Sequence, residues 1–310
     1  MDLVQRFGGN YVDEQHKPVP FIEGTVDEVF GRDSPLYFKT YERPMYYRGD
    51  LGREYDVPDK KAVIRLIDDK PHVLGVVGKN YKVISTEDVC NSVEATFRKT
   101  LNDNELSMVQ RRDRMAYHGG QCIRDYIFPN LCSRVGKYSD VAFRTVIVNG
   151  YDGTSSFKLY NGGIDFFCEN NLVTGSFDMS IHRHTQGFTI PNIIDRVRGS
   201  IDVFYKQSEI WAGWSSKEIT DEDARNCFES IPGISERRVD QLLRQFHIEC
   251  ASHGRTVWAM YSAATFFASQ SRGEFSVRDS GKDHTEATLM KREQAINSWT
   301  KTDDFARIAA

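Results

Sequence analysis

Hydrophobic and polar residues alternate along several short stretches of the first 187 residues. The alternation predicts strands at residues 62–67 and 73–77, joined by the turn DDKP, and further strands at residues 115–128 and 141–148. The polar segment YDGTSS at residues 151–156 follows the last of these strands, and Asp-Gly followed by hydroxyl residues is a strong signal for a β-hairpin turn. These stretches together predict a mainly antiparallel sheet.

The other hydrophobic repeats have the spacing of helices. Val89, Val93, Phe97 and Leu101 recur every four residues, which predicts an amphipathic helix over residues 86–101. Similar stripes beyond residue 188 predict helices at residues 193–204, 221–230, 236–246, 256–270 and 285–299. The sequence therefore predicts an α+β fold, in which an antiparallel β-hairpin sheet packs against a helix and a helical C-terminal region follows.

The same patterns divide the chain into three regions. Residues 1–60 are rich in Pro, Gly, Asp and Tyr and have little periodicity, which predicts an irregular N-terminal arm with short strands, lying across the core or across a neighbouring subunit. A packed N-terminal lobe is the alternative for this region. Residues 61–187 are predicted to form the α+β core and residues 188–310 the helical C-terminal region.

Charge is distributed unevenly along the 310 residues. Forty Lys and Arg against 44 Asp and Glu give a net charge of −4, which argues against a globally basic nucleic-acid-binding protein. Residues 96–150 nevertheless hold nine Lys and Arg against five Asp and Glu, a local excess of four positive charges. Such an excess is compatible with phosphate contact and equally with ordinary surface variation.

The cysteines and the apolar segments bear on the cellular compartment. Six cysteines are spread along the chain without CxxC spacing, which favours reduced thiols over a disulfide framework or a metal site. The chain starts without a basic segment followed by an apolar leader, and it has no apolar run of about 18 residues. We therefore expect a cytoplasmic protein, in the host cytoplasm if a phage encodes it, with no membrane partner.

Motifs of catalysis are absent from the sequence. It contains no GxSxG, HExxH or P-loop, and no pair of carboxylates is spaced for general acid–base work. We therefore predict no enzyme activity and no cofactor. His182 and His184 flank Arg183 and would lie on one face of a strand, as a metal site requires. Because no further ligands occur at a recognised spacing, we predict a structural or phosphate-facing cluster and no metal.

Basic residues lie beside aromatic ones around the predicted strand at residues 115–128. This mixture is typical of single-strand binding, in which cations contact phosphates and rings stack on bases. The alternative is a solvated sheet face whose aromatic residues fill the core on the other side. The predicted nucleic-acid-binding residues are Arg111, Arg112, Arg114, Tyr117, Arg124, Tyr126, Phe128, Arg144, His182, Arg183 and His184.

A second segment has a nucleic-acid-binding pattern. FESIPGIS at residues 228–235 resembles a helix-hairpin-helix motif, in which a Pro-Gly-Ile turn presents backbone N–H groups to phosphate. Ser235 stands where that motif has its second glycine, so a plain αα-hairpin with Ser235 as N-cap is the alternative.

Five separated segments occur in one order: VVGKNYKVI at 76–84, YDGTSS at 151–156, FCENNL at 167–172, HRHT at 182–185 and VWAMYSAAT at 257–265. Together they resemble a phage- and plasmid-encoded family of uncharacterised proteins. The chain departs from the family pattern at Tyr151, where the family turn has His, and at Asn171, where it has Thr. The resemblance implies mobile-element biology and defines no activity.

The predicted helix and hairpin sheet are also similar, at the level of the fold alone, to the core of ring-forming single-strand annealing proteins. We therefore expect a non-enzymatic, oligomeric protein of a phage or mobile element that binds and anneals single-stranded DNA. One alternative is a phage-encoded interaction module that binds or inhibits a host protein through its aromatic N-terminal segment. Another is a metal-dependent hydrolase or nuclease that uses Asp152, His182 and His184.

Overall fold

The computed structural model describes residues 21–137, 139–165, 174–185, 187, 190–269 and 285–310. These residues form antiparallel sheets and helices, which confirms the predicted α+β class. The larger sheet has the strand order β1 (Ile22–Gly24), β5 (Val109–Ala116), β6 (Gln121–Val135), β7 (Ser139–Gly150), β8 (Phe157–Asp165) and β9 (Thr174–His182). The smaller sheet consists of β2 (Thr40–Arg48), β3 (Glu54–Ile67) and β4 (Lys70–Gly78).

The helices of the described residues come mostly after the sheets, as the sequence predicts. They are α1 (Val26–Val29), α2 (Thr86–Thr100), α3 (Ile190–Ser216), α4 (Asp221–Glu229), α5 (Glu236–His253), α6 (Val257–Ser269), α7 (Thr285–Trp299) and α8 (Asp303–Ala309). Among the described segments, no helix has both the length and the apolar character needed to cross a bilayer.

Helix α2 packs against the larger sheet, as predicted. Ser85 is its N-cap, and the Ser85 side chain accepts a hydrogen bond from the backbone N–H of Asp88 at 3.2 Å. Val93 and Phe97 are fully buried, and Phe97 makes an edge-on contact with Phe128 of β6 at a centroid distance of 4.6 Å. The fourfold spacing of apolar residues thus supplies the face that covers the sheet.

A small second core joins the two sheets. It contains Val63 and Leu74 of the smaller sheet, Cys122 of the larger one, and Tyr151, which directly follows β7. The approach is close at Gly75, where an added Cβ would lie 2.5 Å from the Asp152 backbone. Since only glycine permits such an approach of two backbones, the sequence fixes the position of β4 against the turn after β7.

The predicted strand at residues 115–128 is wrong in its extent. Strand β5 ends at Ala116 and β6 begins at Gln121, and a short 3₁₀ turn separates them. Tyr117 and His118 both have φ of 55° in this turn. Bulky residues seldom adopt this left-handed conformation, so their presence does not indicate a turn. The alternation of apolar and polar residues continues across these positions and therefore predicts one long strand where there are two.

The N-terminal region contains more strand than its pattern indicates. Strands β2 and β3 begin at Thr40 and Glu54, and residue 60, the predicted end of the arm, lies inside β3. Most side chains from Tyr46 to Asp56 are exposed on both faces of the hairpin. An exposed hairpin has no buried face, and therefore it produces no hydrophobic alternation. The division of the chain into three domains stays a prediction.

The segment that resembles a helix-hairpin-helix joins α4 to α5. Ser235 is the N-cap of α5, but its side chain makes no capping hydrogen bond. Arg225 Nη2 of α4 lies 2.7 Å from Asp240 Oδ1 of α5, and this ion pair ties the two helices together. The segment is thus an αα-hairpin with Ser235 at the start of its second helix, and a phosphate contact at its turn stays a prediction.

His253, at the end of α5, is expected to make the stability of the fold depend on pH. Burial lowers the pKa of His253 from 6.5 to about 4, so the contact of 3.7 Å between His253 Nε2 and Glu249 Oε2 is not an ion pair at neutral pH. The unfolded chain binds the proton more tightly than the folded one. Stability is therefore expected to fall as the pH is lowered from 6.5 to about 4.

The prediction is measured by urea unfolding of the wild type and the variant His253→Asn across this pH window. Because other groups also titrate there, the difference between the two proteins is the decisive quantity. We expect the wild type to lose more free energy of unfolding than the variant as the pH falls. Parallel curves for the two proteins would contradict the assignment.

Candidate ligand cleft and the buried arginines

Three segments that are far apart in the sequence line one open cleft. Gly78, Asn80 and Tyr81 come from the end of β4 and the segment after it, residues 153–156 form the turn between β7 and β8, and residues 183–185 follow β9. The cleft has a volume of about 400 Å³, within the usual range of about 300–1,000 Å³ for small-molecule sites. The three segments belong to the motif segments VVGKNYKVI, YDGTSS and HRHT.

Asp152 builds the turn that forms one wall of the cleft. Its Oδ1 atom accepts hydrogen bonds from the backbone N–H groups of Thr154 and Ser155, both at 2.9 Å, and its Oδ2 atom accepts one from Thr154 Oγ1 at 2.7 Å. Gly153 has φ of +76°, which favours glycine, and an added Cβ there would lie 2.7 Å from Val77 Cγ1. The carboxylate therefore holds the turn in shape.

His184 anchors the opposite wall. Its ring stacks on Tyr81 at a centroid distance of 4.8 Å and an angle of 20°. The backbone N–H of Lys82 donates to His184 O at 3.0 Å, and His184 Nδ1 lies 3.2 Å from Lys82 O. Burial lowers the pKa of His184 below 6.5, so the imidazole is neutral at neutral pH and donates through Nδ1–H.

Tyr151, at which the chain departs from the family pattern, lies beneath the cleft and not in its wall. Its hydroxyl accepts a hydrogen bond from the backbone N–H of Thr86 at 2.8 Å and also bonds Thr86 Oγ1. Asn149 Nδ2 donates to Ile84 O at 2.9 Å. The Tyr81 hydroxyl donates to Gly150 O at 2.8 Å. These buried bonds attach the start of α2 and the cleft wall to the end of β7.

The cleft has the chemistry of an anion site. Arg183 is exposed in its lining, and Ser156 and Thr185 contribute hydroxyl groups, whereas the hydroxyls of Thr154 and Ser155 donate to Asp152. The side chain of the neighbouring Asp152 carries a negative charge, but both of its oxygens already accept hydrogen bonds inside the turn. A guanidinium together with hydroxyl donors suits a phosphate or a carboxylate.

The predicted phosphate-contacting arginines lie inside the protein, on both faces of the larger sheet. Arg111 and Arg124 are on the face that α2 covers, and each is fully buried. Arg111 Nη1 donates to Val29 O at 2.8 Å. Arg124 forms a bidentate pair with Asp113, at 2.6 Å from Nε to Oδ1 and 2.9 Å from Nη2 to Oδ2, and its Nη1 atom lies 3.2 Å from Glu94 Oε1.

The other three arginines surround one carboxylate on the opposite face. Arg112 Nη2 and Arg114 Nη2 lie 2.8 and 2.9 Å from Asp125 Oδ2, and Arg144 Nη2 lies 2.9 Å from Asp125 Oδ1. Burial alone would raise the pKa of Asp125, but the charges of the three guanidinium groups outweigh it and hold the pKa below its usual value. In this structure the five arginines neutralise carboxylates and cap backbone carbonyls. They form no exposed basic surface.

The predicted aromatic residues are also divided between core and surface. Tyr126 and Phe128 are fully buried beneath α2, whereas Tyr117 is 40% exposed in the 3₁₀ turn. Tyr126 and Phe128 therefore fill the core instead of stacking on bases, as in the alternative given for this strand. The physical reason is register, because residues 124, 126 and 128 share the face that packs on the helix.

The predicted histidine cluster is split as well. Arg183 and His184 line the cleft, whereas His182 is the last residue of β9 and its Nε2 atom hydrogen-bonds Ser180 Oγ. Within the described part of the chain, no group of three or more His, Cys, Asp and Glu side chains is arranged as metal ligands. The family-like segment at residues 167–172 lies outside the described residues.

The comparisons with known proteins identify a family. No curated protein and no solved structure matches the chain. Residues 73–296 match the family described as a domain of unknown function, DUF932. The matched range covers more than half of the 310 residues and includes all three segments of the cleft. The chain therefore belongs to the DUF932 family.

Proposed function

We propose that this protein binds single-stranded nucleic acid through the cleft lined by residues 78–81, 153–156 and 183–185, without acting on it as an enzyme. The observation that carries the proposal is the convergence of these three segments on one open cleft with Arg183 in its lining. A guanidinium, a hydroxyl group and a glycine-containing turn can each bind phosphate.

The phosphate contacts proposed here differ from those expected from the sequence. The buried arginines of the larger sheet are engaged with Asp113 and Asp125, so the backbone of a strand would contact Arg183 and the hydroxyl-bearing residues instead. Binding without catalysis accords with the local chemistry. Asp152, which would be the nearest general base, uses both carboxylate oxygens to hold its turn.

Annealing, self-association and an origin in a phage or mobile element belong to the same proposal. The resemblance of the motif segments to the phage- and plasmid-encoded family supports the origin. The fold-level similarity to ring-forming single-strand annealing proteins supports annealing and self-association. An annealing protein must hold a strand by its backbone and leave its bases accessible to a second strand. An open cleft that contacts phosphate meets this requirement.

The variant Arg183→Ala tests the proposal. Fluorescence anisotropy with a labelled oligothymidylate of about 20 nucleotides, titrated with salt, gives the affinity and the number of phosphate contacts. Removal of one phosphate contact is expected to weaken binding several-fold and to reduce the slope of log K against log salt by about 0.7.

Arg198→Ala is the matched control, because Arg198 is an exposed arginine on α3 that does not line the cleft. It is expected to bind as the wild type does. Wild-type protein that binds no oligonucleotide at low salt would refute the proposal. So would an Arg183→Ala variant with the affinity and slope of the control.

A further inference from the structure

The β2–β3 hairpin extends beyond the third strand of its sheet. Strand β4 ends at Gly78, which is paired with Lys60, so β3 between Glu54 and Asp59 is paired with β2 alone within the described residues. At the end of this extension Tyr46 and Tyr47 are each 56% exposed and Tyr55 is 46% exposed. These tyrosines do not pack in the core of this chain, and their rings remain accessible to a ligand.

Two of the exposed rings form a flat stack. Tyr47 and Tyr55 are cross-strand partners, with ring centroids 5.3 Å apart and planes at 21°. Nearer the base of the hairpin, the Arg43 guanidinium lies 5.5 Å from the centroid of the Tyr41 ring. Each unpaired base presents a π-face, and exposed aromatic side chains with neighbouring cations are the groups on which such bases stack.

The hairpin is continuous with the cleft. The backbone N–H of Lys79, in the segment that lines the cleft, donates to Asp59 O at 3.1 Å, and Lys79 Nζ lies 3.5 Å from Asp59 Oδ1. From Lys60, which is paired with Gly78, five residues of β3 lead to Tyr55. At the usual rise per residue of a β-strand this distance is about 17 Å. A single strand of nucleic acid spans it with a few nucleotides.

We propose that Tyr47 and Tyr55 stack on unpaired bases of the strand whose backbone lies in the cleft, and that this contact selects single-stranded over double-stranded nucleic acid. The inference rests on the proposed function. In a duplex both faces of each base are covered by neighbouring base pairs, so the tyrosine pair has no free base to engage. The cleft would then supply affinity for phosphate, and the hairpin would supply the preference for unpaired bases.

The test separates stacking from phosphate contact. Two labelled strands of equal length are compared, an oligothymidylate and an oligomer of abasic sites that keeps the phosphodiester backbone. Stacking on the tyrosines is expected to make the wild type bind the thymidine strand about tenfold more tightly than the abasic strand. The double variant Tyr47→Ala/Tyr55→Ala should bind both strands with the affinity that the wild type has for the abasic one.

The double variant Tyr47→Phe/Tyr55→Phe is the matched control, because it keeps both rings and should keep the preference. Equal binding of the two strands by the wild type, with both weakened by Arg183→Ala, would overturn the inference and leave the proposed function standing. So would an alanine double variant that keeps the preference, and the hairpin would then be free to serve a protein partner. Absence of binding to either strand would overturn both the proposed function and the inference.

Discussion

Replacement of Asp125 with asparagine is expected to lower the free energy of unfolding by about 3–5 kcal/mol. The carboxylate is fully buried, and Arg112, Arg114 and Arg144 all donate to it over distances of 2.8–2.9 Å. Asparagine keeps the shape but removes the negative charge, and its amide nitrogen cannot accept a hydrogen bond from a guanidinium. Three buried cations would then lose the anion that they share.

The matched control is Asp140→Asn. Asp140 also pairs with an arginine, Arg134, at 3.2 Å, but both side chains are partly exposed. Such a pair is worth about 0–1 kcal/mol, so the control should unfold close to the wild type in urea. Since a typical domain has only about 5–15 kcal/mol of stability, loss of the Asp125 charge should move the midpoint far below that of the control. Equal midpoints for the two variants would contradict the role assigned to Asp125.

The sequence predicts the local elements well because their signals are local. The fourfold spacing that starts at Val89 produces helix α2, and the Asp-Gly turn at residues 152 and 153 closes the β7–β8 hairpin. Short strands are predicted in the N-terminal arm, but the long exposed β2–β3 hairpin is not, because strands that bury neither face need no alternation. The 3₁₀ turn is missed since its first two left-handed residues, Tyr117 and His118, are bulky, and only the third, Gly119, is a glycine.

The burial of the arginines is missed for a different reason. Charged residues are rarely buried unless they are paired, so arginines near a sheet are first assigned to the surface. The pairing signal is present in the sequence, because Arg112 is opposite Asp125 and Asp113 is opposite Arg124 once β5 and β6 are in register. That register depends on the length of the turn between the strands, which periodicity does not reveal.

The cleft illustrates the limit of motif reasoning. Each of its segments belongs to a recognisable motif in the sequence. The segments lie close together only because β4 packs against the β7–β8 turn and because β9 pairs with β8. Arg183 is the predicted site residue that this packing leaves exposed in the cleft. The glycines at 75 and 153, which permit the close approach, are the local signals of that packing.

The variant Gly75→Ala is expected to impair both stability and ligand binding. A Cβ at this position would lie 2.5 Å from Asp152 Cα and O, and neither of these backbone atoms can move as the end of a flexible side chain can. The smaller sheet must therefore shift away from the turn, at a cost of about 1–3 kcal/mol. Gly78 follows the smaller sheet, whereas residues 153–156 follow the larger one, so the same shift moves Gly78 away from the opposite wall of the cleft.

Gly78→Ala is the control that isolates this effect. Gly78 belongs to the same strand and lines the same cleft, but an added Cβ there meets no atom within 4 Å and its φ is not left-handed. The thermal midpoint should change little in this variant, whereas in Gly75→Ala the thermal midpoint and the affinity for oligothymidylate should both fall below those of the wild type. If Gly75→Ala melts as Gly78→Ala does and binds as the wild type does, the contact at Asp152 does not hold the cleft together. A fall in stability alone would show that the contact supports the fold but not the ligand site. The proposed link between close backbone packing and binding therefore depends on the two quantities falling together.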